Sequence, residues 1–307
     1  GRVVTAECLG GTGALRVGGD FVKRLDTGAP AAISAPSWEN HRGIFESAGY
    51  QVLEYTYFDP KTRGVDFEGM VKSLESFPAK TLVILHACCH NPTGADLTPD
   101  QWKKIISICQ TRQLIPFLDI AYQGFATGIE EDGAAVQLFA DSGMSFFVSS
   151  SFSKSFSLYG ERVGALSIVT QSKEESARVL SQLKRVIRTN YSNPPTHGAA
   201  IVAMVLNSPK LRQMWEDELA EMRERIKAMR HGLNKKLAAA GAPQDFSFIE
   251  TQRGMFSYSG LTADQVAKLQ EQDGIYALST GRICVAALNT KNLDRVAQAI
   301  ARVLVSK

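Results

Sequence analysis

Ile115-Pro-Phe-Leu-Asp-Ile-Ala-Tyr122 is the stretch on which the fold turns. It is short, apolar and rich in β-branched and aromatic residues, as a buried strand must be. It directly follows Pro99–Gln113, a stretch of amphipathic helical pattern with Pro99 in the first turn behind the N-cap residue Thr98. The same alternation runs outward in both directions. Ala31–Ala35, Gln51–Tyr57, Thr81–Ala87, Ser145–Ser150 and Val163–Val169 read as further strands, and Asp66–Ser76 as another amphipathic helix. Such alternation predicts an α/β architecture, a mostly parallel sheet with helices on both faces. Ligands in such sheets bind beyond the carboxyl ends of the strands, which is where functional side chains are expected.

The pattern changes at Pro209. Leu211, Met214, Trp215, Leu219, Met222, Ile226, Met229, Leu233 and Leu237 step by three and four, predicting one long helix over Pro209–Ala239 that Gly241 closes. At 1.5 Å per residue it would span ~45 Å, enough to join two domains. Beyond it, Phe246–Ile249, Met255–Tyr258, Ile275–Leu278 and Ile283–Ala286 read as strands, and Thr262–Gln272 and Asn292–Val305 as helices. The expected organisation is a large domain over residues 1–220 and a smaller α+β domain over residues 221–307.

The 307 residues are 44% hydrophobic and 21% charged, enough apolar material for a large core, so disorder and fibrous repeats are excluded. The net charge of 34 − 31 = +3 is too small for a nucleic-acid or membrane surface. No apolar run reaches the ~18 residues a bilayer span needs, and no secretory signal is evident. Cys8, Cys88, Cys89, Cys109 and Cys284 are odd in number and form no C-x-x-C pair. Neither a disulfide framework nor a structural metal site is expected, and a reducing cytoplasm is.

Lys154 is the only charged residue between Asp141 and Glu161, within Ser149-Ser-Ser-Phe-Ser-Lys-Ser-Phe-Ser157. A lysine at the end of an apolar strand is partly desolvated, which favours a neutral, nucleophilic amine able to form a Schiff base. Taken alone it could equally be a loop lysine among polar neighbours. Asp119 is likewise the only charged residue between Arg112 and Glu130. Buried in a strand it must have a partner, because an unpaired buried charge costs several kcal/mol. A structural ion pair would satisfy that requirement too. Together, a lysine and an acid on successive core strands match what pyridoxal phosphate needs: an amine for the aldehyde and a carboxylate for the ring nitrogen.

Gly10-Gly-Thr-Gly-Ala-Leu15 offers backbone donors at the start of a helix, where an anion is favoured. It is not a dinucleotide fingerprint, since that register would need a small residue at Arg16. Ser151, Ser153 and Arg162 could complete the anion pocket. His90-Asn-Pro-Thr-Gly94 ends a strand, so Asn91 is either a ligand donor or part of a simple turn. Trp38 and His41 follow another strand and could stack on or bond a ligand, or merely pack. Arg282 and Arg188 could each bind a carboxylate.

These segments together resemble the class I, fold-type I aminotransferases of the aspartate/aromatic group. The resemblance rests on Gly10-Gly-Thr-Gly, Pro36-Ser-Trp-Glu-Asn-His41, Cys88-Cys-His-Asn-Pro-Thr-Gly94, Leu118-Asp-Ile-Ala-Tyr-Gln-Gly-Phe125, Ser151-Phe-Ser-Lys-Ser-Phe156, Glu161-Arg-Val-Gly164, Asn190-Tyr-Ser-Asn-Pro-Pro195 and Gly254-Met-Phe-Ser257, in family order over essentially the whole chain. It implies that pyridoxal phosphate is the cofactor, with Lys154 as its anchoring lysine and proton carrier. By the same resemblance, Asp119 would face the ring nitrogen with His41 behind it, and Tyr122 and Asn91 would bond the phenolic oxygen. Trp38 would stack on the ring, and Gly11, Thr12, Ser151, Ser153 and Arg162 would hold the phosphate. Arg282 would clamp the substrate α-carboxylate. Arg188 would reach the partner's site in a homodimer and pair with a second carboxylate.

The implied activity is ping-pong transamination between an amino acid and a 2-oxo acid. Gln252-Arg-Gly-Met-Phe-Ser-Tyr258, Ala95-Asp-Leu-Thr98 and Gln113-Leu-Ile-Pro-Phe-Leu-Asp119 resemble the bacterial tyrosine/aromatic branch, so an aromatic donor that shares the site with dicarboxylates is expected. Aspartate as the main donor is the alternative. Family members carry many tens of residues before the position of Gly1, including a dimer arm and a tyrosine that crosses to the partner's phosphate; this sequence lacks that segment. Either that segment exists outside this sequence or the chain is a truncation, and in the second case a catalytically incomplete dimeric fragment is a further alternative. A lyase or decarboxylase is disfavoured by the two arginine clamps, and a nicotinamide enzyme by the failed glycine register.

Overall fold

The computed structural model describes residues 1–305. In chain order the elements are β1 (Val3–Leu9), α1 (Gly10–Leu25), β2 (Ala31–Ala35), α2 (Glu39–Ser47), β3 (Val52–Thr56), β4 (Phe58–Asp59), β5 (Gly64–Val65), α3 (Phe67–Ser76), β6 (Leu82–His86), α4 (Pro99–Arg112), β7 (Ile115–Ile120) and α5 (Ile129–Asp132). There follow α6 (Ala134–Asp141), β8 (Phe146–Ser151), β9 (Val163–Val169), α7 (Lys173–Asn190), α8 (His197–Asn207), α9 (Pro209–Ala239), α10 (Phe248–Thr251), β10 (Phe256–Tyr258), α11 (Ala263–Asp273), β11 (Arg282–Cys284) and α12 (Leu293–Val305).

Seven strands form one sheet in the order β1-β9-β8-β7-β6-β2-β3. Only β9 runs against its neighbours, so the expected mostly parallel sheet is present. Alternation along β7 divides the core. Phe117 packs with Phe21, Phe45 and Phe147 under α1, α2 and α7. Its neighbour Leu118 faces the opposite layer with α3, α4, α6 and α9. Continuous apolar strands follow from burial on both faces.

The helix over Pro209–Ala239 forms as expected, opened by Ser208, whose hydroxyl accepts from the Leu211 amide. Its apolar stripe is buried from Leu219 to Leu237, whereas Met214 is largely exposed. Beyond it the strand expectations are partly corrected. Phe246–Ile249 is a turn leading into α10: Phe246 and Ile249 are both buried at a spacing of three, which suits one helical turn and not an alternating strand. Ile275–Leu278 forms no strand; Tyr276 and Leu278 are exposed and the segment's backbone bonds go to the α11 end and to Arg282. Ile283–Ala286 pairs only at its start, because Val285–Ala287 turns into a 3₁₀ segment. β10 and β11 pair antiparallel, with Tyr258 opposite Arg282. Among the described residues, no helix is long and apolar enough to cross a membrane.

Candidate active site

The carboxyl ends of β2, β6, β7 and β8 open on one side of the sheet, where β1 also ends and β9 begins. Each end delivers part of one cavity of about 250 Å³. The turn after β2 brings Trp38, the loop after β6 brings Asn91, and β7 brings Asp119 and then Tyr122. Ser151, Ser153 and Lys154 follow β8, Arg162 precedes β9, and Gly11 and Thr12 open α1. Ten of the residues singled out in the sequence therefore line a single cavity. His41 stands behind it, against Asp119, and Arg282 stands at its rim, against Asn91. Arg188 does not: it lies exposed at the end of α7.

Asp119 is 4% exposed, and His41 Nε2 donates to its Oδ2 at 2.9 Å. Ser37 Oγ lies 2.9 Å from the other ring nitrogen, so the imidazole is held at both ends. Burial pushes the Asp119 carboxyl upward, but the His41 hydrogen bond, together with the electrostatic influence of the groups around it, Lys154 among them, outweighs burial and holds the carboxyl below its ordinary range. Lys154 Nζ sits 4.9 Å from the Tyr122 ring centre. Burial lowers its pKa, Asp119 partly restores it, and Arg162 lowers it again. The result is an ionised acid facing an amine biased toward its neutral form.

The opposite wall is an anion cradle. The first turn of α1 has no side-chain cap; the Gly10 amide donates to Arg162 O at 2.9 Å, and no side chain caps the amides that follow it. Arg162 Nη1 donates to Ser153 Oγ (3.5 Å) and the Tyr159 carbonyl (3.0 Å), and the Ser153 amide donates to Ser151 Oγ at 3.3 Å. Gly10 has φ +70°, and a Cβ there would stand 2.5 Å from Arg162 Nη2. The glycine is what lets the guanidinium lie across the helix start. Backbone donors, two hydroxyls and a fixed cation fit a phosphate; a buried acid and an amine fit the ring and aldehyde of pyridoxal phosphate.

At the rim, Arg282 Nη1 donates to Asn91 Oδ1 at 2.8 Å, and Asn91 Nδ2 donates to the Tyr122 hydroxyl at 3.4 Å. Trp38 packs edge-on against His41 at 5.3 Å.

His86 also lines the cavity, as do Leu15, Ala121 and Tyr159. Its Nδ1 is buried without a partner among the described residues. His86 pairs in register with Asp119 across β6 and β7. The signal for it was present: a lone polar residue at the end of Leu82-Val-Ile-Leu-His86, the same isolation that marks Asp119.

His86 and His90 are buried neutral, the first pushed down to about 3 and the second also well below its ordinary value, chiefly by burial. Depressed folded values mean that this stability is present above ~6.5 and is lost as the pH falls. From pH 6.5 to 5, His86 alone removes about 2 kcal/mol. Asp96, raised to about 6 mainly by burial, acts in the opposite sense and returns part of that below pH 6. Urea unfolding at pH 7 and pH 5 is expected to give a lower midpoint at pH 5. Equal midpoints would contradict neutral burial of the two rings.

Topology and pocket together define a pyridoxal-phosphate enzyme of fold type I. The family model "Aminotransferase class I and II" matches residues 2–300. An aspartate aminotransferase of Pseudomonas aeruginosa is 65% identical over 304 residues, covering 99% of this chain and 76% of that protein. An aromatic-amino-acid aminotransferase of Escherichia coli K12 is 52% identical over 303 residues, with the same coverage. Among solved structures, an aromatic-amino-acid aminotransferase from Burkholderia pseudomallei, covalently bound to pyridoxal phosphate, matches with a TM-score of 0.98 at 66% identity, over 99% of this chain and 76% of that one. The chain belongs to the class I and II aminotransferase family, whose cofactor is pyridoxal phosphate.

Proposed function

We propose that the chain is a transaminase that moves the amino group of an aromatic amino acid, and also of aspartate or glutamate, to 2-oxoglutarate. The observation that carries this reading is Lys154 and Asp119 meeting in one cavity walled by the anion cradle, with Arg282 at its rim. Relatives named for both aspartate and aromatic donors, at 65% and 52% identity, support the dual substrate range. Aspartate as the main donor is equally compatible with those names.

When bound, pyridoxal phosphate supplies an electron sink for the pair left behind when a proton leaves the substrate Cα. The remaining work falls to the chain. Gly11, Thr12, Ser151, Ser153 and Arg162 would grip the phosphate through amides, hydroxyls and a forked cation. Asp119, kept ionised by His41, would hold a proton on the ring nitrogen. Trp38 would cover one ring face, and Asn91 and Tyr122 would bond the phenolic oxygen. Lys154 would carry the proton from the substrate Cα, a task its depressed basicity suits. Arg282 would bind the α-carboxylate and orient the Cα–H bond.

The reading extends to a homodimer in the cytoplasm. Arg188 is exposed and lines no part of its own cavity, which supports its entering the site of a second copy. Five unpaired thiols support a reducing compartment. The site-bearing large domain would comprise residues 1–220 and the small domain residues 221–307.

The test is a visible spectrum of the cofactor-loaded protein before and after aspartate, then tyrosine, for the wild type and Arg188→Ala. The long-wavelength band is expected to bleach with either donor and to return with 2-oxoglutarate; a band indifferent to both donors refutes transamination. Arg188→Ala should lower kcat/KM for aspartate about 100-fold, the loss of one buried charge pair, and for tyrosine only slightly. Equal losses would remove Arg188 from substrate selection.

A further inference from the structure

Arg230 lies on α9 and is 3% exposed, yet it makes no ion pair among the described residues. Its guanidinium is spent wholly on backbone carbonyls. Nη1 donates to Ile249 O at 2.9 Å, and Nη2 donates to Gly254 O at 2.7 Å and Phe256 O at 2.6 Å. Burying a guanidinium is costly, and burial pulls this one down to about 10. A charge retained there, among carbonyls from three different residues, fixes the course of the segment from α10 into β10.

That segment is the seat of the substrate clamp. The Arg253 amide donates to Gly94 O at 2.7 Å, tying it to the loop that carries Asn91. Gly254, at φ +80°, lies so close to that loop that a Cβ would stand 2.5 Å from Cys89 Cβ. The Phe256 ring meets Tyr122 edge-on at 6.1 Å, and the Arg282 guanidinium lies over the same ring at 4.5 Å. The carbonyl between the two that Arg230 holds, Met255 O, accepts from Val285 and Ala286 just beyond β11. Arg230 thus holds the backbone on both sides of Met255 while Met255 holds the strand end next to Arg282.

We propose that Arg230 is a positioning residue for substrate binding: through the Gly254 and Phe256 carbonyls it sets the Phe256 platform on which Arg282 rests. This rests on the reading of Arg282 as the carboxylate clamp. The sequence signal is that Arg230 falls on the apolar stripe of α9, four residues after Ile226 and three before Leu233, where a solvated arginine has no place.

The test compares Arg230→Met, Arg230→Lys and Arg282→Lys in the cofactor-loaded protein. It measures binding of succinate, a dicarboxylate with no amino group to react, from its effect on the visible spectrum, together with KM, kcat and the thermal midpoint. Arg230→Met is expected to raise the succinate Kd and the amino-acid KM about 10-fold or more, as a displaced clamp does, with kcat less affected. The unliganded spectrum should be unchanged. Arg230→Lys, which keeps the charge without the planar fork, should recover part of the loss. If Arg230→Met does not fold, Arg230→Lys alone carries the test through its own raised Kd. A lower thermal midpoint with normal succinate Kd in both Arg230 variants, while Arg282→Lys binds weakly, overturns the positioning role alone. Normal succinate binding in Arg282→Lys overturns the clamp, and this inference with it.

Discussion

Lys154→Ala is expected to abolish the long-wavelength cofactor band and to lower turnover by about 10⁴-fold or more, because in the proposed reading this one side chain would serve as both the amine for the aldehyde and the carrier of the substrate proton. No other lysine lines the cavity, so nothing among the described residues stands ready to replace it. The phosphate cradle does not involve its side chain. Ser151, Ser153, Arg162 and the start of α1 keep their contacts, so the variant should still retain cofactor non-covalently. The measurement pairs the visible spectrum with the cofactor released on denaturation. Loss of the band with retained cofactor is the expected outcome. Retained turnover would mean that the amine at 4.9 Å from Tyr122 is a bystander.

Fold and site were legible in this sequence for the same reason. A buried strand must be apolar, so a single charged residue on one stands out, and Asp119 at the carboxyl end of β7 is such a residue. Lys154 stands out on the loop after β8 by the same contrast. Elements whose partners are remote in sequence were harder to see. β1 carries Thr5 and Glu7 in an edge strand, and its neighbour β9 lies some 160 residues on; nothing local in Val3–Leu9 announces that pairing. The apparent strands at Phe246–Ile249 and Ile275–Leu278 failed for the converse reason: apolar residues are present, but no strand stands beside them to complete a ladder. Arg230 is the instructive omission. Its place on the apolar stripe of α9 marks it for burial, but its three carbonyl partners come together only once α10 and β10 have folded against α9, so the chain alone does not show what it holds.

Asp119→Asn separates holding the cofactor from using it. The amide is close in size to the carboxylate and can still meet His41, so packing under 4% exposure is preserved. What is lost is the negative charge that, in the proposed reading, would hold a proton on the ring nitrogen. The buried carboxyl stays ionised because the His41 hydrogen bond and the surrounding electrostatics, Lys154 included, outweigh the cost of burial, and a neutral amide cannot take over that charge. Removing one preorganised electrostatic group from a water-poor site typically costs 10²- to 10³-fold in turnover, so a kcat loss of about that size is expected for both aspartate and tyrosine. The lysine and the phosphate cradle remain, so the long-wavelength band should persist, in contrast to Lys154→Ala. Measuring kcat for each donor and the band in the same preparation makes the distinction. A variant of normal turnover would show that the ring nitrogen does not depend on Asp119. A colourless variant would instead make Asp119 a determinant of cofactor binding and move its contribution from the chemical step to the assembly of the site.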